Sequence, residues 1–328
     1  MQALTDPLRE ARAAVRGGRF QDAAVTLAEM APEVRQGAEW YLLSAMVSWR
    51  LGDFGTSRQE ALEARALYRA RGDADGEMRA ANVAAAGAFG LGALNEAEEG
   101  FHRAQELARE LRDDLMIARC FNNLGNVALY LAQLDAALGF YRIGRAGFER
   151  LGFHHGVAET WINTAITWRD TGRHDDALNA ADQALEFAER AGASRLVGEA
   201  LANRGAALAA LGEVALGRVQ VERALVLVRA EQDRFAEPDV LRILGTIELA
   251  SRNTTAALRW AREALARATA LRHPWTIAEV QRDLARTYRA IGAEQEARTA
   301  FDAAAEAFLA LGSAPRADAM RLERETMS

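Results

Sequence analysis

The sequence contains no lysine: all 40 basic residues among its 328 are arginine. That absence removes a phosphate-binding loop of the Gly-Lys-Ser/Thr kind, a Schiff-base nucleophile and a lysine general base. There is one cysteine, Cys120, so no disulfide can close within the chain, and a reducing, cytoplasmic setting is the expectation. An excess of basic charge is also lacking. With 46 acidic residues the net charge is -6, which gives nucleic acid or an anionic membrane no electrostatic purchase. No run of about 18 uncharged apolar residues occurs, so no membrane-spanning helix is expected. The stretch Met1–Pro7 has no basic segment followed by an apolar run, so no signal peptide is expected either. Proline is scarce, at 5 residues, while 50% of the chain is hydrophobic and 26% charged, which is the balance of a folded, soluble protein.

What is present is a repeat. Small residues recur every 40 positions at Ala45, Ala85, Gly125, Ala165, Gly205, Gly245 and Ala285. A second column of the same spacing runs Ser57, Ala97, Ala137, Ala177, Gly217, Ala257, Ala297, and a third runs Ala64, Ala104, Gly144, Ala184, Ala224, Ala264, Ala304. Small side chains are required where two helices cross closely, because the interaxial distance of about 8–10 Å is set by what lies at the contact. Between the first two columns stands a turn signal, as in Leu51-Gly52-Asp53-Phe54, Leu91-Gly92-Ala93-Leu94 and Thr171-Gly172-Arg173-His174. Glycine there stops one helix in the left-handed conformation and the next residue starts another. Large apolar residues at helical spacing surround the small ones, Phe121, Leu124 and Val127 in one helix and Leu134, Leu138 and Tyr141 in the next. Each unit therefore reads as two antiparallel helices.

These columns resemble the tetratricopeptide repeat, whose pattern is matched by Phe121, Leu124-Gly125, Ala137, Tyr141 and Gly144. The period of 40 exceeds the usual 34 or so, and the extra residues are expected to lengthen the second helix and its loop. Variants of this length resemble bacterial peptide-sensing regulators and eukaryotic adaptors. The resemblance implies an all-α fold, a right-handed solenoid superhelix in a single domain over 1–328. Eight hairpins are expected at about 3–31, 38–72, 77–111, 117–151, 157–191, 197–231, 237–271 and 277–311. A capping helix over 314–326 would cover the last apolar face.

The first helix of every pair lines the concave wall of such a solenoid, and the family's groove positions fall on columns 40 residues apart. One column carries Asn123, Asn163 and Asn203; neighbouring columns carry Asn82, Asn122 and Asn126. A carboxamide both donates and accepts, so it can hold the backbone of an extended peptide whatever its side chains. The same asparagines could instead bond neighbouring helices to one another. Arg79, Arg119 and Arg169 flank them, with acidic residues or a C-terminal carboxylate as their complement. A second basic group, Arg242, Arg282, Arg286 and Arg289, lies further on. The alternative for these arginines is pairing with Glu159, Glu199, Asp239, Glu279 or Asp283. Trp49, Phe89 and Tyr130 fit either apolar subsites or core.

No metal and no cofactor is expected. His154 and His155 fall in a loop leaving one hairpin and His174 in the far turn of the next, separated by a helix of about 20 Å. Neither Gly-x-Ser-x-Gly, His-Glu-x-x-His nor Gly-x-Gly-x-x-Gly occurs, and Cys120 reads as a packing residue. The expected function is thus a non-catalytic module that binds a peptide or disordered segment of a protein partner in the groove. The second reading is an assembly scaffold that forms homo-oligomers through terminal or convex surfaces, motivated by Trp260, Trp275, Phe301 and Phe308 in the end units.

Overall fold

A short connector repeats every 20 residues and sets the frame of the whole chain. From position 52 to position 312, in steps of 20, one residue takes a positive φ. In each step the amide of the following residue bonds back to a carbonyl five residues earlier, as in Asp53 N to Ser48 O at 2.9 Å and Ser313 N to Phe308 O at 2.9 Å. These are helix stops closed by a left-handed residue, and the next helix begins directly afterwards. Several starts are capped: the Asp53 carboxylate accepts from Thr56 N at 3.1 Å and the Asp73 carboxylate from Gly76 N at 2.9 Å.

The structure is a computed structural model and describes Asp6 and residues 8–327. The start of the expected 3–31 hairpin, and most of the stretch read for a signal peptide, lie outside the described residues. All regular structure among the described residues is helical. The helices are α1 (Arg9–Arg16), α2 (Phe20–Ala28), α3 (Pro32–Arg35), α4 (Ala38–Leu51), α5 (Phe54–Ala70), α6 (Ala74–Gly90), α7 (Leu94–Leu111), α8 (Asp114–Tyr130) and α9 (Leu134–Arg150). They continue as α10 (His154–Asp170), α11 (His174–Arg190), α12 (Ser194–Ala210), α13 (Val214–Ala230), α14 (Ala236–Ala250), α15 (Thr254–Ala270), α16 (Pro274–Ala290), α17 (Glu294–Ala310) and α18 (Ala314–Glu325). Seven hairpins, α4/α5 to α16/α17, follow the 40-residue frame; α1/α2 forms one more, and α18 stands last. The short α3 was not foreseen.

The expectation that the extra residues lengthen the second helix and its loop is corrected here. In α10/α11 and α12/α13 both helices have 17 residues, joined by connectors of three. The lengthening is shared equally, which is why one connector geometry serves both turns. His154 and His155 accordingly open α10, and His174 opens α11, rather than lying in loops. Pro274 sits in the first turn of α16, where its missing N–H costs nothing.

All residues of the three small columns are buried. At Gly125, an added Cβ would lie 2.4 Å from Cε1 of Tyr141, so the ring of α9 occupies the space that any side chain would need. The chain divides into two compact units, Met1–Asn123 and Leu124–Ser328. Within each, helices pack on their chain neighbours, and first helices pack also on one another: α4 on α6, and α10 on α12, α12 on α14, α14 on α16. In the second unit this makes a continuous wall of first helices. Trp275, Phe301 and Phe308 are each no more than 1% exposed. These three are therefore core, while Trp260 is half-buried, which corrects the surface role expected of Trp275, Phe301 and Phe308.

Candidate binding cavity

The wall of first helices in the second unit borders an open cavity of about 380 Å³. Its lining follows the 40-residue columns. Arg242 and Arg282 come from one, Ile243 and Asp283 from the next, and Ala206, Thr246 and Arg286 from the third. Arg169 and Asp170 join them from the end of α10, and Phe308, Arg316 and Met320 close the far side from α17 and α18. The repeat explains the convergence, because residues one period apart occupy the same face of successive first helices.

Charge in the cavity is dense and largely matched. Arg242 is 6% exposed and meets three carboxylates: Asp283 at 2.9 Å, Glu279 at 3.2 Å and Asp239 at 3.4 Å. Burial works against its charge, but these three carboxylates win and hold its pKa well above the ordinary arginine value. Asp283 is bonded also by Arg282 at 2.9 Å. Burial alone would raise the Asp283 carboxyl; Arg282 and Arg242 together hold it far below the usual carboxylate range. For Glu279 burial is likewise outweighed, and Arg242, Arg282, Arg316 and Arg169 bring it down to about 2. Arg286 and Arg289 share Glu323 of α18 at 2.6 and 3.2 Å. The second basic group read from the sequence is therefore ion-paired throughout.

Arg169 differs. Its side chain is 18% exposed, its hydrogen bond goes to the neutral Asn203 Oδ1 at 3.0 Å, and Asp170 stands at 3.9 Å. Burial lowers its pKa, Asp170 opposes that, and Arg242 adds to it. Asn203 is fixed in turn, donating to the Glu199 carbonyl at 2.9 Å. Arg169 lines the cavity, while Asn203, buried and bonded through both its oxygen and its nitrogen, stands behind it.

The other expected residues divide between the two units. Asn163 is half-buried on α10. Asn126 accepts from the Tyr141 hydroxyl at 2.8 Å. Tyr130 lies against Trp275 with ring centroids 4.1 Å apart, and burial raises its pKa far above normal. In the first unit Asn123 donates to Asn82 across 3.2 Å, so α8 and α6 are joined by carboxamides, and Asn122 is buried beside them. Arg79 and Arg119 are exposed, the former 3.8 Å from Asp75. Trp49 donates to the Ala86 carbonyl at 3.3 Å, a packing contact between hairpins. Asp170 and Arg316 were missed: neither belongs to a repeated column, and Arg316 lies beyond the last hairpin. No cluster of histidine, cysteine and carboxylates able to hold a metal occurs among the described residues. No helix among them is long and apolar enough to cross a membrane.

No protein-family model and no curated protein matches the chain. Solved structures do. A Rap protein complexed with Competence and Sporulation Factor superposes with a TM-score of 0.65 at 12% identity, over 98% of this chain and 96% of that one. NprR in complex with its cognate peptide NprX gives 0.62 at 13% identity, over 100% and 99%. The aspartyl phosphate phosphatase F of Bacillus subtilis gives 0.55 at 13%, over 100% and 95%. At such identities the likeness is one of fold. The alanine and glycine columns, the paired 17-residue helices and these superpositions agree that the chain has the tetratricopeptide-type helical repeat fold.

Proposed function

We propose that this chain is a non-catalytic interaction module that takes a peptide or disordered protein segment in the cavity of the second unit. The observation that carries the reading is Arg169, a half-buried guanidinium that lines a cavity of about 380 Å³ and donates, among the described residues, to the Asn203 carboxamide. Arg169, with Asn203 behind it, receives a carboxylate, either an acidic side chain or a chain terminus, while Asn163 holds ligand backbone. That NprR, of similar fold, was solved with a peptide supports the reading. Asn82, Asn122, Asn123, Arg79 and Arg119 form a further candidate surface in the first unit.

The test is selection of random heptapeptides on the immobilised chain, followed by affinity measurement against Arg169→Ala and Asn203→Ala. Enriched peptides are expected to carry a carboxylate and to lose at least about tenfold in affinity with either variant, as one charge-assisted bond predicts. Peptides that bind both variants as tightly as the wild type overturn the assignment.

The scaffold reading keeps one observation in its favour. On α13, Leu216, Val219 and Val226 are 44%, 49% and 68% exposed, a stripe at helical spacing facing solvent. Light scattering over a concentration series tests it; a monomer at the highest concentration disposes of self-assembly.

A further inference from the structure

The two ends of the second unit meet at Arg316. Arg316, in the first turn of α18, donates from Nη2 to Asp170 Oδ2 at 2.9 Å and to the Leu129 carbonyl at 3.4 Å. Its Nη1 donates to Glu279 Oε1 at 3.3 Å. Asp170 ends α10 and Leu129 lies in the last turn of α8, so a single guanidinium ties segments 146 and 187 residues apart. Beside it Tyr130 meets Trp275. Among the described residues α9 and α10 pack at most weakly on α16, α17 and α18. Elsewhere in the unit neighbouring helices bury whole faces against one another. Between α10 and α18 the seam is thus held by the polar contacts of one guanidinium, and local opening selects places with few buried apolar contacts.

The charges around the seam favour release as well as closure. When Arg316 withdraws, Asp170 keeps Arg169 at 3.9 Å, and Glu279 keeps Arg242 at 3.2 Å. Neither carboxylate is stranded, which is the condition that makes breaking a buried pair costly. Arg316 itself gains water. Arg242, by contrast, is 6% exposed and meets three carboxylates at once, so its withdrawal would break three ion pairs together.

We infer that Arg316 is a latch: it closes the second unit on itself over the cavity, and its release from Asp170, Glu279 and the Leu129 carbonyl opens the seam between α18 and the ends of α8 and α10. The latch is a property of this chain alone. Its regulatory consequence, that ligand entry competes with latching, rests on the cavity being the binding site proposed above.

Hydrogen–deuterium exchange of the full chain tests the latch without any ligand. In Arg316→Ala, amides of residues 131–133 and 317–320 are expected to exchange at least about tenfold faster, while those of α12 and α13 are unchanged. Ethylguanidinium at about 20 mM restores seam protection in the variant and does nothing to the wild type. Asp302→Asn, which frees Arg324 of α18 from its 2.8 Å partner away from the seam, leaves residues 131–133 as protected as before. Unchanged exchange in Arg316→Ala overturns the latch; so does acceleration spread evenly through α12–α18 without rescue, which shows Arg316 to be a stabilising contact only. Peptides from the selection are expected to bind Arg316→Ala at least about tenfold tighter than wild type. Equal or weaker binding overturns the competition while the exchange result stands, and failure to select any peptide sinks the binding reading alone.

Discussion

Gly205 and Gly217 face each other across the α12–α13 crossing so closely that a Cβ on either would lie 2.5 Å from the carbonyl oxygen of the other. They are the fifth members of the first two small columns, and theirs is the hairpin in which both are glycine. Gly205→Ala forces the two helices apart and is expected to destabilise by about 2 kcal/mol, as overpacking in a close crossing does. Gly245→Ala, one repeat on, is the control: the nearest atom to its Cβ is 3.4 Å away, an ordinary contact. There the better helix propensity of alanine should leave stability level or raised by up to about 1 kcal/mol. Urea midpoints of both variants check the contrast, and equal losses at the two sites would refute it.

Arg242 organises Asp283, Glu279 and Asp239 from inside the wall. Arg242→Met keeps the volume of the stem but takes one of two arginines from buried Asp283 and a guanidinium from Glu279, so a loss of about 3 kcal/mol is expected. Asp283→Asn should cost less, because Arg242 keeps Glu279 at 3.2 Å and Asp239 at 3.4 Å. Calorimetric melting of both variants at neutral pH ranks them, and a larger loss for Asp283→Asn than for Arg242→Met contradicts the arrangement.

The same cluster predicts acid sensitivity with a definite sign. Glu279 is held at about 2, below its unfolded value near 4.5, so its contribution is present in full above pH 4.5 and is lost as the pH falls towards 2. A shift of that size corresponds to a contribution on the order of 3 kcal/mol. Glu279→Gln removes the titration. The stability gap between wild type and variant should therefore be widest at neutral pH and close between about pH 4.5 and pH 2, and denaturant melts across that range read it directly. A gap that stays constant with pH would count against the pairing.

Much of this was legible in the sequence, for a physical reason. Crossing points demand small residues, so Ala45, Gly125 and Gly205 and their partners announce the hairpins, and the columns between them place Arg242, Ile243 and Asp283 on one wall. Two things were not legible. The 20-residue connector was hidden because Arg112, Ala132, Gln232, Arg252 and Arg272 take the left-handed conformation without glycine, the residue that ordinarily signals it. The contact of Arg316 with Asp170 was hidden because it depends on how far the stack curves, a sum of small rotations at every hairpin that no single residue encodes. The depth of Trp275 and Phe308 follows from the same closure: α18 covers the last hairpin, where a capping helix was expected.

Those unconventional connectors are themselves a prediction. Arg252 is exposed and sits at φ 60°, where a Cβ crowds the backbone. Arg252→Gly keeps the connector and removes the crowding, worth about 1 kcal/mol after the greater freedom of glycine in the unfolded chain is subtracted. The thermal midpoint should rise by a few degrees at most. A fall would mean that the Arg252 side chain supports the structure in a way its exposure conceals.

Cys120 gives the last test. It is fully buried on α8 among Met78, Ala81, Ala104, Leu107, Ala108 and Met116 of the first unit. Burial, with a smaller contribution from Asp113, pushes the thiol up to about 12. Only the thiolate is nucleophilic, so at pH 8 the reactive fraction is on the order of one in ten thousand, against about a quarter for an unperturbed thiol. Iodoacetamide should leave the native chain unlabelled over hours at pH 8 and modify it within minutes once urea unfolds the first unit. The labelling rate then becomes a reporter for opening of that unit alone, independent of the latch in the other. Rapid alkylation under native conditions would show that the α6–α7–α8 packing opens readily, which its buried methionine and alanine contacts argue against.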